Sequence, residues 1–300
     1  MILVTEELKT KFGKQILINE KLSNYSWFNL GGSADVFFKP KSLKDIIFFF
    51  EKVKMQKFTI IGSGSNTLIR DGGIKGVTIK LSSAFSYINL VSENIIEIGA
   101  ATPDKKVADF AIENSLSGLE FLACIPGSIG GAVRMNTGCY GEDISKILHS
   151  IKAINTKGQL KEILAKDIKF SYRTSNLRDN LLITSVKLIG TKCLKQKVKN
   201  KQEIMIERKK NSQPSQIKTC GSTFKNPKGK KAWELIKESN CENFKAGNAK
   251  ISEKHCNFFI NNGKATSKDL EKLINKVKET VYQKTKINLE LEIKIIGHNK

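Results

Sequence analysis

The period of the apolar positions changes several times along the chain, and each change marks an element. Leu43, Ile46, Ile47, Phe50 and Val53 recur at helical spacing behind a Ser42/Asp45 pair at capping-box distance, which predicts an amphipathic helix over 43–55. Short apolar strands are expected on either side, at Ala34–Phe38 and Phe58–Ile61, followed by another at Val77–Leu81. Further strands are expected at Tyr87–Leu90 and Ile95–Ile98, then a helix starting at Pro103, a residue suited to a first helical position. Ile147–Ile154 and Gln159–Ile163 read as a hairpin about Thr156–Gly158, and Leu181–Ile189 as a continuous apolar strand. Lys192–Lys210 reads as a basic helix or a linker, punctuated by Pro214. Beyond it come a helix at Ala232–Glu238, a strand at Asn257–Asn261, and a helix from Ser267 to Gln283 capped by Thr266. From Ile287 to Ile296 apolar and polar residues alternate strictly, the signature of a half-buried strand.

Two glycine-bearing stretches interrupt this pattern. Gly62-Ser63-Gly64-Ser65-Asn66 follows the strand expected at Phe58–Ile61. A dinucleotide fingerprint would have to open a helix at this point, yet Gly72–Gly73 arrives too soon for one and a strand follows. The loop can still offer N–H groups and the Ser63, Ser65 and Asn66 side chains to a phosphate. The second stretch, FLACIPGSIGGAVRMNTGCYG (121–141), packs five glycines around small polar side chains and one arginine. Two readings of it stand side by side. It is a turn-rich connector between core strands, or a wall of backbone N–H groups against which a large flat or phosphorylated ligand lies.

Composition narrows the classes. Three hundred residues, 40% of them apolar, with 22 glycines and 5 prolines, describe a globular chain able to bury real cores. No apolar run is long enough to span a bilayer, and MILVTEELKTKFGKQ does not read as a signal peptide, so a cytoplasmic protein with no membrane insertion is expected. The six cysteines show neither CxxC nor zinc-finger spacing, so no metal site is expected and the thiols are read as buried or site-lining. The formal charge of +22 raises nucleic-acid binding as a reading. Only five of the 51 cationic residues are arginine, however, and the lysines are dispersed among glutamates, which coding bias explains equally well. Where lysine is the default cation, each arginine marks a place that needs a planar bidentate donor. Arg134, Arg173 and Arg178 fall in or beside the glycine-rich and aromatic motifs.

Six motifs stand in one order: NLGGSADVF, IGSGSNTLIRDGG, IPGSIGGAVRMNTGCYG, FSYRTS, CGSTFKNP and LELEIKIIG. Together they resemble the UDP-N-acetylenolpyruvoylglucosamine reductase family over nearly the whole chain, and the short interval from FSYR to CGSTF resembles its second type. The resemblance implies an α+β architecture, the vanillyl-alcohol-oxidase (PCMH-type) FAD-binding fold of two α+β subdomains plus a C-terminal α+β substrate-binding domain. In chain order these are residues 1–84, 85–198 and 199–300, with a terminal strand at about 286–297 returning to the active site. It also implies FAD as cofactor, NADPH as electron-donating co-substrate, UDP-N-acetylglucosamine enolpyruvate as substrate, no nucleic acid, and a monomer. In the family's reaction NADPH reduces FAD and leaves, and the enolpyruvyl ether then takes a hydride from the flavin and a proton at the neighbouring carbon.

By resemblance the FAD pyrophosphate falls to Gly62, Ser63, Gly64, Ser65 and Asn66. The flavin falls to Pro126, Gly127, Ser128, Gly130, Gly131 and Ala132, with Asn136 and Gly138 near it. Ala123-Cys124 stands where the family often has a glycine. Arg173 matches the catalytic arginine, Ser222 the proton donor and Glu292 the catalytic glutamate. Tyr172, Asn226, His255 and Lys294 fall at substrate-lining positions, Lys294 where the family usually has arginine. On pattern alone Arg173 is also a strand-end arginine, Ser222 a turn serine, His255 a capped core histidine, and Glu292 part of a solvated strand face. Two other functions remain open from the sequence. One is a different FAD oxidoreductase of this fold, such as an oxidase of small alcohols; the other is a basic nucleic-acid-binding protein, which would purify colourless.

Overall fold

A computed structural model describes residues 4–54 and 57–300. The chain forms two compact units, each assembled from separated segments. The first comprises residues 1–18, 36–63 and 76–209, and the second 19–35, 64–75 and 210–300. The last third of the sequence is therefore joined in its unit by two short pieces from the first quarter of the chain.

The first unit holds two hydrophobic cores. One lies beneath the helix Leu43–Val53, where Ile46, Phe49 and Phe50 meet Leu8, Phe12, Val36, Phe38, Val77 and Ile79. Phe38 stacks on Phe49 with ring centroids 4.1 Å apart. The associated sheet orders the strands Ile16–Lys21, Ser33–Phe38, Ile74–Ile79 and Thr59–Ile60, the last two running parallel. Ser42 caps the helix by accepting from the Asp45 N–H, but Asp45 reaches back to the Lys41 N–H, so the reciprocal half of the expected capping box is displaced by one residue. The helix ends at Val53 with Lys54 in the left-handed conformation; residue 55, included in the expected helix, lies outside the described residues.

The second core of this unit covers a five-stranded antiparallel sheet in the order 160–164, 148–155, 181–189, 95–99, 88–90. The hairpin about Thr156–Gly158 and the strand Leu181–Ile189 form as their apolar patterns predict. Ile96, Ile98, Ile151, Ala153, Val186 and Leu188 point into the core, where the helix Asp104–Glu113 and the glycine-rich segment cover them. Pro103 is the N-cap of that helix rather than its first turn. Lys195–Ser212 is a helix, not a linker. Half of its 18 residues are charged; it is anchored by Val198, Gln202 and Met205, and Gln202 donates to Asp109 at 3.0 Å.

In the second unit the helix Ser267–Thr285 is the main organiser. Thr266 and Asp269 close a full capping box, and Leu270, Leu273, Ile274, Val277 and Val281 are buried in a single stripe. Each such side chain contributes about 1.5–3 kcal/mol on burial. The stripe packs on Phe28, Leu68, Leu235, Ile251, Phe259, Leu289 and Ile293. The terminal segment departs from expectation in an instructive way. Burial alternates as the sequence predicts, with Leu289 and Ile293 inside, but regular strand is confined to Lys294–Ile296, which pairs in parallel with Thr67–Ile69. Upstream of Lys294 the segment is held by a single bridge, Phe224 to Leu291, so alternation there reports burial rather than a continuous ladder.

Candidate active site

In the first unit the glycine-rich segment forms a 3-10 turn at Glu120–Cys124, then the Pro126-Gly127-Ser128 turn, then a short helix at Ile129–Arg134. Several of its N–H groups are already taken. Ile129 donates to Thr102, Gly130 to Ala100 and Ala132 to Ser128, so the segment is braced against the end of strand 95–99 and is only partly a free N–H wall. Gly127 sits where a Cβ would fall 2.5 Å from Asp104 Oδ2. Asp104 is fully buried, neither of its carboxyl oxygens has a partner among the described residues, and burial pushes its pKa well above the carboxylate range. Set behind the turn, it favours its protonated form.

The first part of the serine–glycine loop meets this segment. A Cβ on Gly62 would be 3.1 Å from the Ser128 hydroxyl. The Lys80 ammonium donates to the Gly62 carbonyl, and burial followed by Lys39 lowers its pKa. Small residues from two distant segments, with a cation beside them, suit a diphosphate lying across them. On this chemistry Gly62, Ser63, Ser128 and Gly131 fit FAD.

Arg173 occupies the two-residue turn between the strands Phe170–Ser171 and Thr174–Ser175, with φ of +60°. A left-handed arginine is costly unless its surroundings hold it. Here its guanidinium donates to the Gly138 carbonyl at 2.7 Å and lies 5.0 Å from the ring of exposed Tyr172. Two other side chains fix the hairpin. Asn136 donates to the Ser171 carbonyl at 3.1 Å while its Oδ1 accepts from the Ser145 N–H at 2.9 Å. Arg134 donates to the carbonyls of Leu177, Arg178 and Leu181, and its own carbonyl accepts from the Ser175 hydroxyl. Asn136 and Gly138, expected beside the cofactor, thus spend these groups on the arginine hairpin. Arg134 stood out in the sequence by its position, but its role as a brace for the hairpin was not assigned there. Its signal was present: a scarce arginine inside the densest motif.

In the second unit three extended segments run side by side. Thr223 donates its N–H to the Asn257 carbonyl at 2.8 Å, Glu292 donates to the Thr223 carbonyl at 2.9 Å, and Lys225 to the Glu290 carbonyl at 2.8 Å. Ser222 bridges Phe258. The fold therefore brings Ser222 and Glu292, 70 residues apart in sequence, onto neighbouring segments of one layer. The Asn257 side chain ties both backbone groups of Phe224. Asn66, expected on a phosphate, donates its amide to the Glu292 carbonyl at 3.1 Å and accepts the Lys294 N–H at 2.9 Å. Gly64 has φ of +68°, and a Cβ there would overlap the Tyr25 carbonyl oxygen, so no other residue fits. Buried Cys220 packs its thiol on the Gly64 and Thr67 carbonyls, and burial pushes its pKa up to about 12.

The substrate-lining candidates divide. Asn226 accepts the Ala232 N–H at 3.0 Å and so caps the helix Ala232–Glu238. His255 takes the Asn257 N–H on Nδ1, packs edge-on against Phe258, and is held neutral by burial, which lowers its pKa. Lys294 is exposed at the start of its strand.

Against known proteins, residues 34–164 match the model of an FAD binding domain, and residues 213–296 match that of the UDP-N-acetylenolpyruvoylglucosamine reductase C-terminal domain. The UDP-N-acetylenolpyruvoylglucosamine reductase of Pelagibacter ubique (strain HTCC1062) is 43% identical over 294 residues, 97% of each chain. The chain belongs to the UDP-N-acetylenolpyruvoylglucosamine reductase family. The reductase of Orientia tsutsugamushi (strain Ikeda) is 42% identical, over 93% of both chains. The crystal structure of the Thermus caldophilus reductase superposes with a TM-score of 0.82 at 28% identity, covering 94% of this chain and 98% of that one. Family membership bears out the expected fold, an FAD-binding part joined to the reductase C-terminal domain. Among the described residues no helix is long and apolar enough to cross a membrane.

Proposed function

We propose that this chain is the FAD-dependent reductase that converts UDP-N-acetylglucosamine enolpyruvate into UDP-N-acetylmuramate for peptidoglycan synthesis, using electrons from NADPH. One observation carries the reading: near-complete colinearity with a named reductase at 43% identity. Bound FAD supplies the hydride chemistry, accepting from NADPH and delivering to the enolpyruvyl carbon.

The protein's own residues bind, orient and move the proton. Gly62, Ser63, Gly64 and Ser65 hold the cofactor's diphosphate, with the Lys80 cation beside the loop. The 126–132 segment backs the flavin, with the buried Asp104 behind it. Hydride addition pushes negative charge onto the substrate carboxylate, and Arg173 is the cation that meets it. Its fixed hairpin means little reorganisation at the moment of reaction. Ser222 protonates the neighbouring carbon, which a hydroxyl can do only when held close in a site that excludes water. Glu292 shares a proton with the enolised carboxylate, held in register by Asn66 and the Thr223 carbonyl. Tyr172, Asn226, His255 and Lys294 line the substrate, Lys294 as a point charge rather than a bidentate clamp. The chain acts as a cytoplasmic monomer, which light scattering of the purified protein checks.

The purified protein should be yellow. Without oxygen, NADPH should bleach the flavin absorbance, and the enolpyruvyl nucleotide should restore it in stoichiometric amount. Oxygen uptake driven by a small alcohol without NADPH would instead make it an oxidase of this fold. A colourless protein that takes up no FAD would refute both.

A further inference from the structure

Cys124 ends the 3-10 turn Glu120–Cys124, two residues before Pro126, and is buried. Cys139 lies on the short strand Gly138–Cys139, which packs on that turn. Its Sγ is 3.6 Å from the Phe121 carbonyl oxygen. In a 3-10 turn the carbonyl of one residue lies over the third residue after it, here Cys124. The two thiols act on each other: Cys124 and then burial push the Cys139 pKa up, while Cys139 and then Lys209 lower that of Cys124 against its burial. Two cations stand over the pair. Lys209 donates to the Cys124 carbonyl at 2.8 Å, and Arg173, bonded to Gly138, acts on Cys139. A thiol of lowered pKa, with cations nearby and a second thiol beside it, is the arrangement that reacts with oxidants and resolves to a disulfide. Neither cysteine has a part in the proposed reduction.

We infer that Cys124 and Cys139 form an oxidant-sensitive dithiol, closed to a disulfide by a hydroperoxide and reopened by a cellular dithiol. The Cys124 thiolate attacks a peroxide oxygen and the O–O bond breaks. The departing oxygen takes a proton and leaves as water, so Cys124 becomes a sulfenic acid. The Cys139 sulfur then attacks the Cys124 sulfur, the S–O bond breaks, and the leaving hydroxide takes the Cys139 proton as a second water. Two thiols have lost two electrons and one hydrogen peroxide has gained them. A disulfide holds its Cβ atoms about 3.8 Å apart. Closure therefore ties the residue just before the Ile125-Pro126-Gly127 turn to the one following the carbonyl that anchors Arg173. Turnover slows while FAD stays bound; this consequence rests on the proposed role of Arg173, whereas formation of the disulfide does not.

The test uses the reduced holoenzyme, treated with hydrogen peroxide, quenched with an alkylating agent and digested with trypsin without reduction. Cleavage after Arg134 separates peptide 107–134, whose one cysteine is Cys124, from peptide 135–146, whose one cysteine is Cys139. The two peptides should emerge joined, two hydrogen masses below their sum. Turnover should fall about tenfold, as a small misplacement of a positioned group produces, and recover with dithiothreitol. Cys139→Ala should keep its untreated turnover and lose its sensitivity to peroxide. Recovery of both cysteines as separate alkylated peptides, or equal sensitivity in Cys139→Ala, overturns the inference. The mass measurement on the unaltered protein stands even should the variant fail to fold. Joined peptides with unchanged turnover uphold the dithiol and count against the role given to Arg173.

Discussion

The two units hold their chemistry in different ways. In the first, the hairpin that carries Arg173 is fixed by side chains reaching to backbone: Asn136 to Ser171, Arg134 to three carbonyls, and Arg173 itself to Gly138. In the second, Ser222 and Glu292 ride on segments joined mainly backbone to backbone, through Thr223, Asn257 and Glu290, with the Asn257 and Asn66 side chains as added ties. A side-chain brace is lost with one substitution. A backbone ladder survives most substitutions, and is broken by a shift of register. The first unit therefore exposes more of its dependence to point mutation than the second, where Asn66 and Asn257 are the sensitive positions.

Substitutions can break or sharpen that contrast. Ser222→Ala removes the proposed proton donor while the ladder beneath it stays. Flavin reduction by NADPH should persist and product formation should fall about 10³-fold, read by stopped-flow of the two half-reactions. Unchanged turnover would remove Ser222 from the mechanism. Arg173→Ala should cost about 10²–10³-fold in the second half-reaction with FAD still bound. Loss of the flavin would mean that Arg173 is structural.

Arg134→Met tests the brace itself. With its three carbonyl contacts gone, the hairpin loosens and the second half-reaction should fall about 10–100-fold, kcat dropping more than KM rises. An effect confined to melting temperature would show that the hairpin needs no such support.

Asp104→Asn gives a signed pH effect. The folded protein keeps the Asp104 proton where the unfolded chain would release it. The parent therefore loses stability as pH rises above the ordinary carboxylate value of about 3.9 toward the raised one. The neutral amide has no such cost. The variant should gain on the parent by about 1.4 kcal/mol per pH unit within that window, measured by urea unfolding. A difference independent of pH would show that Asp104 is ionised in the folded state. Smallest of all, Thr266→Ala should lower stability by about 1 kcal/mol through loss of the helix cap, without affecting either half-reaction.

The sequence was most readable where local rules and burial agree. The helix Ser267–Thr285 carries a capping box and a periodic apolar face, and it formed between its expected ends within two residues. The terminal segment shows where such reading stops. Its alternation placed Leu289 and Ile293 inside, but whether a segment pairs depends on what lies beside it, and only Lys294–Ile296 found a regular partner. The three asparagines make the same point. Asn66, Asn136 and Asn226 were read only as ligand contacts, and in the structure their amides also bond the Glu292, Ser171 and Ala232 backbones. Two of these partners lie 226 and 35 residues away in sequence, beyond the reach of any local pattern.

Asn66 grips both sides of Ile293, and the Lys294–Ile296 strand lies along Thr67–Ile69. This has a bearing on biosynthesis. On the ribosome, residues 64–69 are made long before the strand that completes their pairing, and they wait through more than two hundred codons for it. Emergence of Lys294–Ile296, rather than synthesis of the early segments, is then the moment at which Glu292 acquires its setting. A nascent chain stalled before Lys294 would carry a folded first unit and an unfinished second one.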